Sequence, residues 1–305
     1  MDTLTNFHEL SYKRHEKHFK IPENELSDIQ KSWFRNDTVG YWRFFRTFKP
    51  LIPLIKQNRQ NKWVTIGDGR FGRDSIELKK IDPSLNVLPT DISPVLLEYA
   101  KKEGWIEDYR IENAEALSFQ NNSFDFVLCR ESYHHFPRPA IALYEMLRVA
   151  KEAVILIEPN EHYYSSFVMK AFINFKNVIK RILKRPVYHT DHWCYEESGN
   201  YIYFLSKREI EKVALGLDLP AIAYNYYNDY YEVGIELEKA ERKSPLFRKV
   251  KNKIAVEDLK SKTGLKHYSQ IIVVLFKKMP GKELANDLKN AGLKIIELPR
   301  NPYIK

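Results

Sequence analysis

The chain has 305 residues, 44% of them hydrophobic and 13% aromatic, enough to bury a large core and too apolar for a disordered protein. Its formal net charge of +9 suits an anionic partner such as nucleic acid, a phosphorylated substrate or a membrane surface, although many soluble enzymes are equally basic. Two cysteines, Cys129 and Cys194, exclude a disulfide framework and a cysteine zinc site; with no apolar leader and no apolar run of about 18 residues, the expected setting is a reduced cytoplasm.

In chain order, residues 1 to 60 are polar and then aromatic, and the pattern predicts a helical cap. Within it RNDTVGYWRFFRTFKPL is read either as a lid bringing Tyr41 and Trp42 near a ligand or as core packing against the sheet edge. From residue 61 to 160, short apolar runs alternate with helical patterns: WVTI then DSIELKKI, NVLPT then PVLLEYAKKE, FDFVLC then AIALYEMLRVA, and finally AVILIEP. That alternation predicts parallel strands with crossover helices, an α/β doubly wound sheet. Residues 161 to 305 are less regular, with one clear late strand, QIIVVLF, and helical additions expected to recognise a second ligand.

Between the first strand and its helix lies Gly67-Asp68-Gly69-Arg70-Phe71-Gly72, a G-x-G-x-x-G loop. Such a loop lets backbone approach a ligand at a helix N-terminus, and Asp91, roughly twenty residues on at the end of the next strand, is placed to accept ribose hydroxyls. NAD and S-adenosylmethionine (SAM) would both use this arrangement. Asp68 would repel a pyrophosphate and welcome an ammonium or sulfonium, while Arg70 and Arg73 could partly rescue a phosphate.

Residues 111 to 159, IENAEALSFQNNSFDFVLCRESYHHFPRPAIALYEMLRVAKEAVILIEP, taken with the glycine loop and Asp91, resemble the class I SAM-dependent methyltransferases of the type 11 kind. The resemblance covers about residues 60 to 160, and SKREIEKVALGL looks like the family's late helix. It implies a Rossmann-like, mostly parallel, seven-stranded sheet and S-adenosylmethionine as cofactor. Carried over residue by residue, it implies that Gly67, Asp68 and Gly69 line the methionine end, that Asp91 binds the ribose, and that Ile92 packs on adenine. Asn113 and Ala114 would lie beside the ring, and Arg130 and Glu131 would face the reacting methyl. Two departures stand out: Thr65 replaces the acid that commonly opens the glycine motif, and the third glycine, Gly72, comes one residue late after Phe71.

A hydroxyl acceptor would profit from a general base, and His134 or His135, just past the fourth strand, are the candidates, with packing as the alternative role. Glu158, Asp191 and His192 are weaker candidates. His189, Asp191 and His192 in YHTDHWC have no partner spacing that completes a metal site, so a surface loop and no metal are expected. CRESYHHF lacks the Asn/Asp-Pro-Pro-Tyr pattern of base-methylating enzymes, which favours a small-molecule or saccharide acceptor, methylated at oxygen or nitrogen. RNA methylation, an NAD-dependent oxidoreductase and a non-catalytic scaffold remain as alternatives.

Tyr224, Tyr226, Tyr227, Tyr230 and Tyr231, interleaved with Asn225, Asn228 and Asp229, read either as an aromatic wall for the acceptor or as a half-buried strand. In SSFVMKAFINFKNVIKRILKRPVY, apolar Val168, Phe172, Phe175, Val178, Ile179 and Ile182 recur at helical spacing and no acid occurs between Glu161 and Asp191. Such a basic amphipathic helix at residues 165 to 185 either touches an anionic membrane or, more commonly, packs its stripe on its own domain.

Overall fold

The computed structural model describes residues 3–16, 26–57, 60–161, 167–184, 194–196 and 199–303. His189, Asp191 and His192 lie outside the described residues. One sheet runs through the domain, built from β1 (Lys62–Ile66), β2 (Asn86–Asp91), β3 (Arg110–Ile111), β4 (Phe124–Arg130), β5 (Ala150–Pro159), β6 (Ala221–Tyr227), β7 (Gln270–Phe276) and β8 (Lys294–Glu297). Their order is β3-β2-β1-β4-β5-β7-β6-β8. The first five strands are parallel, whereas β7 runs antiparallel to both β5 and β6, and β8 antiparallel to β6. The sheet is therefore the expected Rossmann-like one with an eighth strand added at its edge.

Around it stand α1 (Thr3–Glu16), α2 (Asp28–Ser32), α3 (Val39–Phe48), α4 (Ile52–Ile55), α5 (Arg73–Ile81), α6 (Val95–Lys102), α7 (Pro139–Val149), α8 (Phe167–Ile182), α9 (Lys207–Gly216), α10 (Pro245–Lys262) and α11 (Lys282–Asn290). Strand alternation assigns the two cores. Val64, Val127, Val154 and Val273 face α7 and α9, whereas Trp63, Leu128, Ile155 and Val274 face α3, α4, α5 and α11. Burial on both faces explains why these strands read as nearly continuous apolar runs. Strand order reverses between β1 and β4, and in doubly wound sheets the crevice at the carboxyl ends of such strands receives ligands.

Three expectations resolve differently from the favoured or open reading. The aromatic N-terminal segment is core: Trp42 meets Phe247 edge-on at 5.1 Å, and the Tyr41 hydroxyl donates to Glu77 at 2.8 Å. Part of the tyrosine-rich run is strand β6, with Tyr224 fully packed, and Asn228 is buried against Asp258 and Ser261. In the stripe of helix α8, Phe175, Val178, Ile179 and Ile182 are exposed, Ile182 by 75%. Among the described residues no helix is long and apolar enough to cross a membrane.

Candidate functional site

A cleft of about 900 Å³ opens at the carboxyl ends of β1, β2 and β4. Gly67, Asp68, Gly69, Asp91, Ile92, Asn113, Ala114, Arg130 and Glu131, which the sequence placed around a cofactor, all line it.

The glycine loop forms its floor. A Cβ on Gly69 would stand 2.6 Å from the Asp91 carboxyl carbon, and one on Gly67, whose φ is +73°, would stand 2.4 Å from Ser132 Cβ. Only glycine allows these approaches. Thr65, in place of the usual acid, donates through Oγ1 to Asp68 Oδ2 at 2.8 Å. The same carboxylate accepts the α5 amides of Asp74 and Ser75, both at 3.0 Å. Burial, and then the neighbouring Asp74 carboxyl, push the Asp68 carboxyl well above its ordinary range. Asp68 contributes to the cleft wall, but its carboxylate caps α5 and is not directed at a ligand's ammonium, as the sequence suggested. The late third glycine has an equally local cause. Phe71 takes a left-handed φ of +61°, a cost of about 1 to 3 kcal/mol, and is fully buried among Trp33, Phe34, Tyr99 and Trp105. Burial of that ring offsets the strain.

Asp91 sits half-buried at the end of β2, accepting the Ser93 amide at 2.8 Å. Burial raises its carboxyl to about 6, against hydrogen bonds from the Ser93 and Gly69 amides that pull it down. Asn113 Oδ1 accepts the Glu115 amide at 2.9 Å, and its side chain also hydrogen-bonds the Tyr12 hydroxyl. At the exit of β4, Glu131 holds a strained φ of +52°, and Arg130 Nε pairs with Asp74 Oδ1 at 2.7 Å.

The two histidines separate. His134 does not line the cleft; it is buried, with Nδ1 2.5 Å from Glu158 Oε2, and Glu158 is fully buried and also accepts the Ser132 and Tyr133 amides. Burial disfavours charge on His134, but the Glu158 carboxylate outweighs it and the imidazole pKa is raised. His135 does line the cleft, and its Nδ1 is 2.8 Å from Glu196 Oε2. His134 is therefore a structural residue, and the base candidacy narrows to His135.

Sequence reasoning missed the residues that close the cleft from above. Helix α1 contributes Tyr12 and His15. Tyr12 donates to Glu115 at 2.5 Å, where Arg138 Nε also donates at 2.6 Å, while His15 Nε2 lies 3.3 Å from Glu196 Oε1. The helix covering the cleft is thus α1, not the Tyr41 and Trp42 segment, neither of which lines it. No local pattern in the polar α1 announces contacts with residues so distant in sequence. Among the described residues no group of three or more His, Cys, Asp or Glu side chains could hold a metal ion.

Fold and cleft define a doubly wound domain with a carboxylate, Asp91, lining the crevice at its strand-order switch. Residues 64–157 match the model of a family described as a methyltransferase domain. Among curated proteins none matches the chain. Solved structures with a similar fold include YcgJ from Bacillus subtilis, 16% identical over 78% of this chain and 100% of that one, with a TM-score of 0.46. A SAM-dependent methyltransferase from Thermotoga maritima is 18% identical over 78% of this chain and 94% of that one, with a TM-score of 0.43. The [4+2]-cyclase SpnF is 16% identical over 76% of this chain and 81% of that one, with a TM-score of 0.44.

The division between the histidines is measurable. His134→Ala leaves the fully buried Glu158 carboxyl without its imidazole partner and is expected to destabilise the fold by about 3 kcal/mol in urea unfolding. His135→Ala is expected to leave the unfolding midpoint near that of the wild type. Equal losses in the two variants would contradict the assignment.

Proposed function

We propose that the protein is an enzyme transferring a methyl group from S-adenosylmethionine to an oxygen or nitrogen of a small-molecule or saccharide acceptor. The observation that carries this reading is the presence, in one cleft, of the Asp91 carboxylate over the glycine floor and the His135–Glu196 pair. A cleft of about 900 Å³ is large enough for a nucleoside cofactor with a small acceptor beside it.

When bound, S-adenosylmethionine supplies a sulfonium-activated methyl group for in-line displacement. Ionised Asp91 would accept the ribose hydroxyls, and Ile92, Asn113 and Ala114, which line the same cleft, would hold the adenine. Gly67 and Gly69 let the backbone approach the methionine end. His135, with Nδ1 held by Glu196, takes the acceptor's proton at Nε2. Holding the two reactants in line accounts for most of the acceleration expected of such a site, about 7 to 11 kcal/mol, and the base adds a factor of roughly 10² to 10⁴.

A specific observation also favours peripheral membrane contact. The apolar residues Phe175, Val178, Ile179 and Ile182 of α8 are exposed, and the segment from residue 162 to 190 contains Lys and Arg but no Asp or Glu. An exposed apolar stripe on a wholly basic segment complements an anionic lipid surface.

Three outcomes are expected. In calorimetric titration, affinity for the product S-adenosylhomocysteine falls as pH drops through about 6, because Asp91 is ionised only above that value and its protonated form accepts ribose hydroxyls poorly; Asp91→Asn abolishes the dependence and weakens binding at neutral pH. Once an acceptor is found by screening, His135→Ala lowers kcat by roughly 10² or more with cofactor affinity retained; unchanged turnover would remove the base from the mechanism. The protein sediments with phosphatidylglycerol vesicles and not with phosphatidylcholine vesicles, and joint Phe175→Asp and Ile182→Asp substitution abolishes this without altering the fold.

A further inference from the structure

Three arginines, Arg70, Arg73 and Arg130, line one end of the cleft. Only Arg130 has a carboxylate partner, Asp74, at 2.7 Å. Among the described residues no carboxylate bonds or pairs with Arg70 or Arg73. The Arg73 Cζ lies over the Phe44 ring, 3.9 Å from its centroid, and its Nε is buried with no hydrogen-bond partner. Arg70 stands over Trp33 at 5.7 Å. The acids nearest this group are already engaged. Asp74 is bonded to Arg130, Glu77 accepts the Tyr41 hydroxyl, and Glu131 Oε1 receives the Gln270 amide at 3.2 Å when that nitrogen is turned inward.

A buried guanidinium without a partner is costly, by several kcal/mol in general, and proteins seldom retain one without a counter-charge. Burial, and then repulsion from Arg130, lower the Arg73 pKa to about 10 against the weaker attraction of Asp74 and Glu77, whereas Arg70 beside it is an exposed residue. The aromatic rings of Phe44 and Trp33 support the two guanidiniums and supply no formal charge. Planar forks held in this way suit the oxygens of a phosphate or carboxylate.

Resting on the methyltransferase reading of this cleft, we propose that the acceptor carries an anionic group, a phosphate or carboxylate, which Arg73 and Arg70 receive. The cofactor cannot by itself supply the missing charge. Its one carboxylate is accompanied by an ammonium and a sulfonium, so it enters with net positive charge and leaves the arginine end still uncompensated. An anionic acceptor neutralises that end and is turned so that its nucleophile points back toward the β4 exit, where Glu131 and His135 stand.

The test is calorimetric titration of inorganic phosphate into protein saturated with S-adenosylhomocysteine. Phosphate is expected to bind the wild-type complex, and Arg73→Gln to weaken it by about tenfold or more, the loss typical of a charge-assisted bidentate contact. Arg70→Gln, at an exposed position, is expected to weaken it in the same direction without disturbing the buried stack on Phe44, and Arg73→Lys to restore part of the binding. S-adenosylhomocysteine affinity should stay within about twofold in all three variants. Failure of phosphate to bind the wild-type complex would overturn the proposal. So would a drop in S-adenosylhomocysteine affinity in Arg73→Gln with unchanged affinity for 5′-methylthioadenosine, which lacks the amino-acid end, because the arginines would then hold the cofactor's own carboxylate. If S-adenosylhomocysteine fails to bind the wild type at all, the methyltransferase reading itself falls.

Discussion

The Glu158 carboxylate, fully buried at the end of β5, is the constraint on which the site depends. Oε1 accepts the amides of Ser132 and Tyr133 at 3.0 and 2.9 Å, and Oε2 meets His134 Nδ1 at 2.5 Å. Three consecutive residues of the β4 exit are thereby fixed to the neighbouring strand. Ser132 passes the constraint on, its hydroxyl donating to the Gly67 carbonyl at 2.7 Å. The glycine floor, the strained Glu131 and the cleft-facing His135 are all positioned through this one acid. A carboxyl so deep in the sheet is tolerable because each oxygen is satisfied and an imidazole whose pKa it raises stands against it.

How much of this could be read beforehand depends on the range of the interactions. The parallel strands were legible because burial on both faces leaves near-continuous apolar runs, and the crossover helices because their periodicity differs. Gly67, Gly69 and Asp91 were legible for a related reason: their spacing reports a strand, a turn and a second strand. The eighth strand, KIIE, is too short and half-exposed to stand out from its surroundings. Side-chain direction was not legible either. Asp68 sits in the loop where expected, yet its carboxylate turns inward because two unsatisfied helix amides lie within reach, a choice that spacing alone does not encode. His134 and His135 show the same limit. Adjacent in sequence, they diverge because a tight turn after β4 sends one ring to Glu158 and the other to Glu196.

The two halves of the cleft differ in how they are held. Everything beneath it comes from a contiguous stretch of parallel sheet, where backbone hydrogen bonds set position. What lies above is joined through side chains from remote segments: α1 by way of Tyr12 and His15, and the segment carrying Glu196. The proposed base thus stands at the seam, its ring placed by the β4 exit and its Nδ1 held by Glu196. In the proposed function, a composition of this kind separates the geometry of the cofactor from that of the acceptor, one held by sheet backbone and the other by side chains from remote segments.

Asp68 also bears on why the glycine loop serves this cofactor and not a dinucleotide. In dinucleotide-binding folds the pyrophosphate is received by the free amides at the N-terminus of the first crossover helix, assisted by the helix dipole. Here the Asp74 and Ser75 amides of α5 are already bonded to the Asp68 carboxylate at 3.0 Å. The chain has engaged these amides with a carboxyl of its own, and Thr65 holds it there from the strand side. Seating a pyrophosphate on them would require displacing a carboxyl that accepts three hydrogen bonds. S-adenosylmethionine has no phosphate and asks nothing of those amides. The resemblance of the loop to a dinucleotide fingerprint is therefore one of backbone shape, and the occupied helix terminus decides between the two ligands.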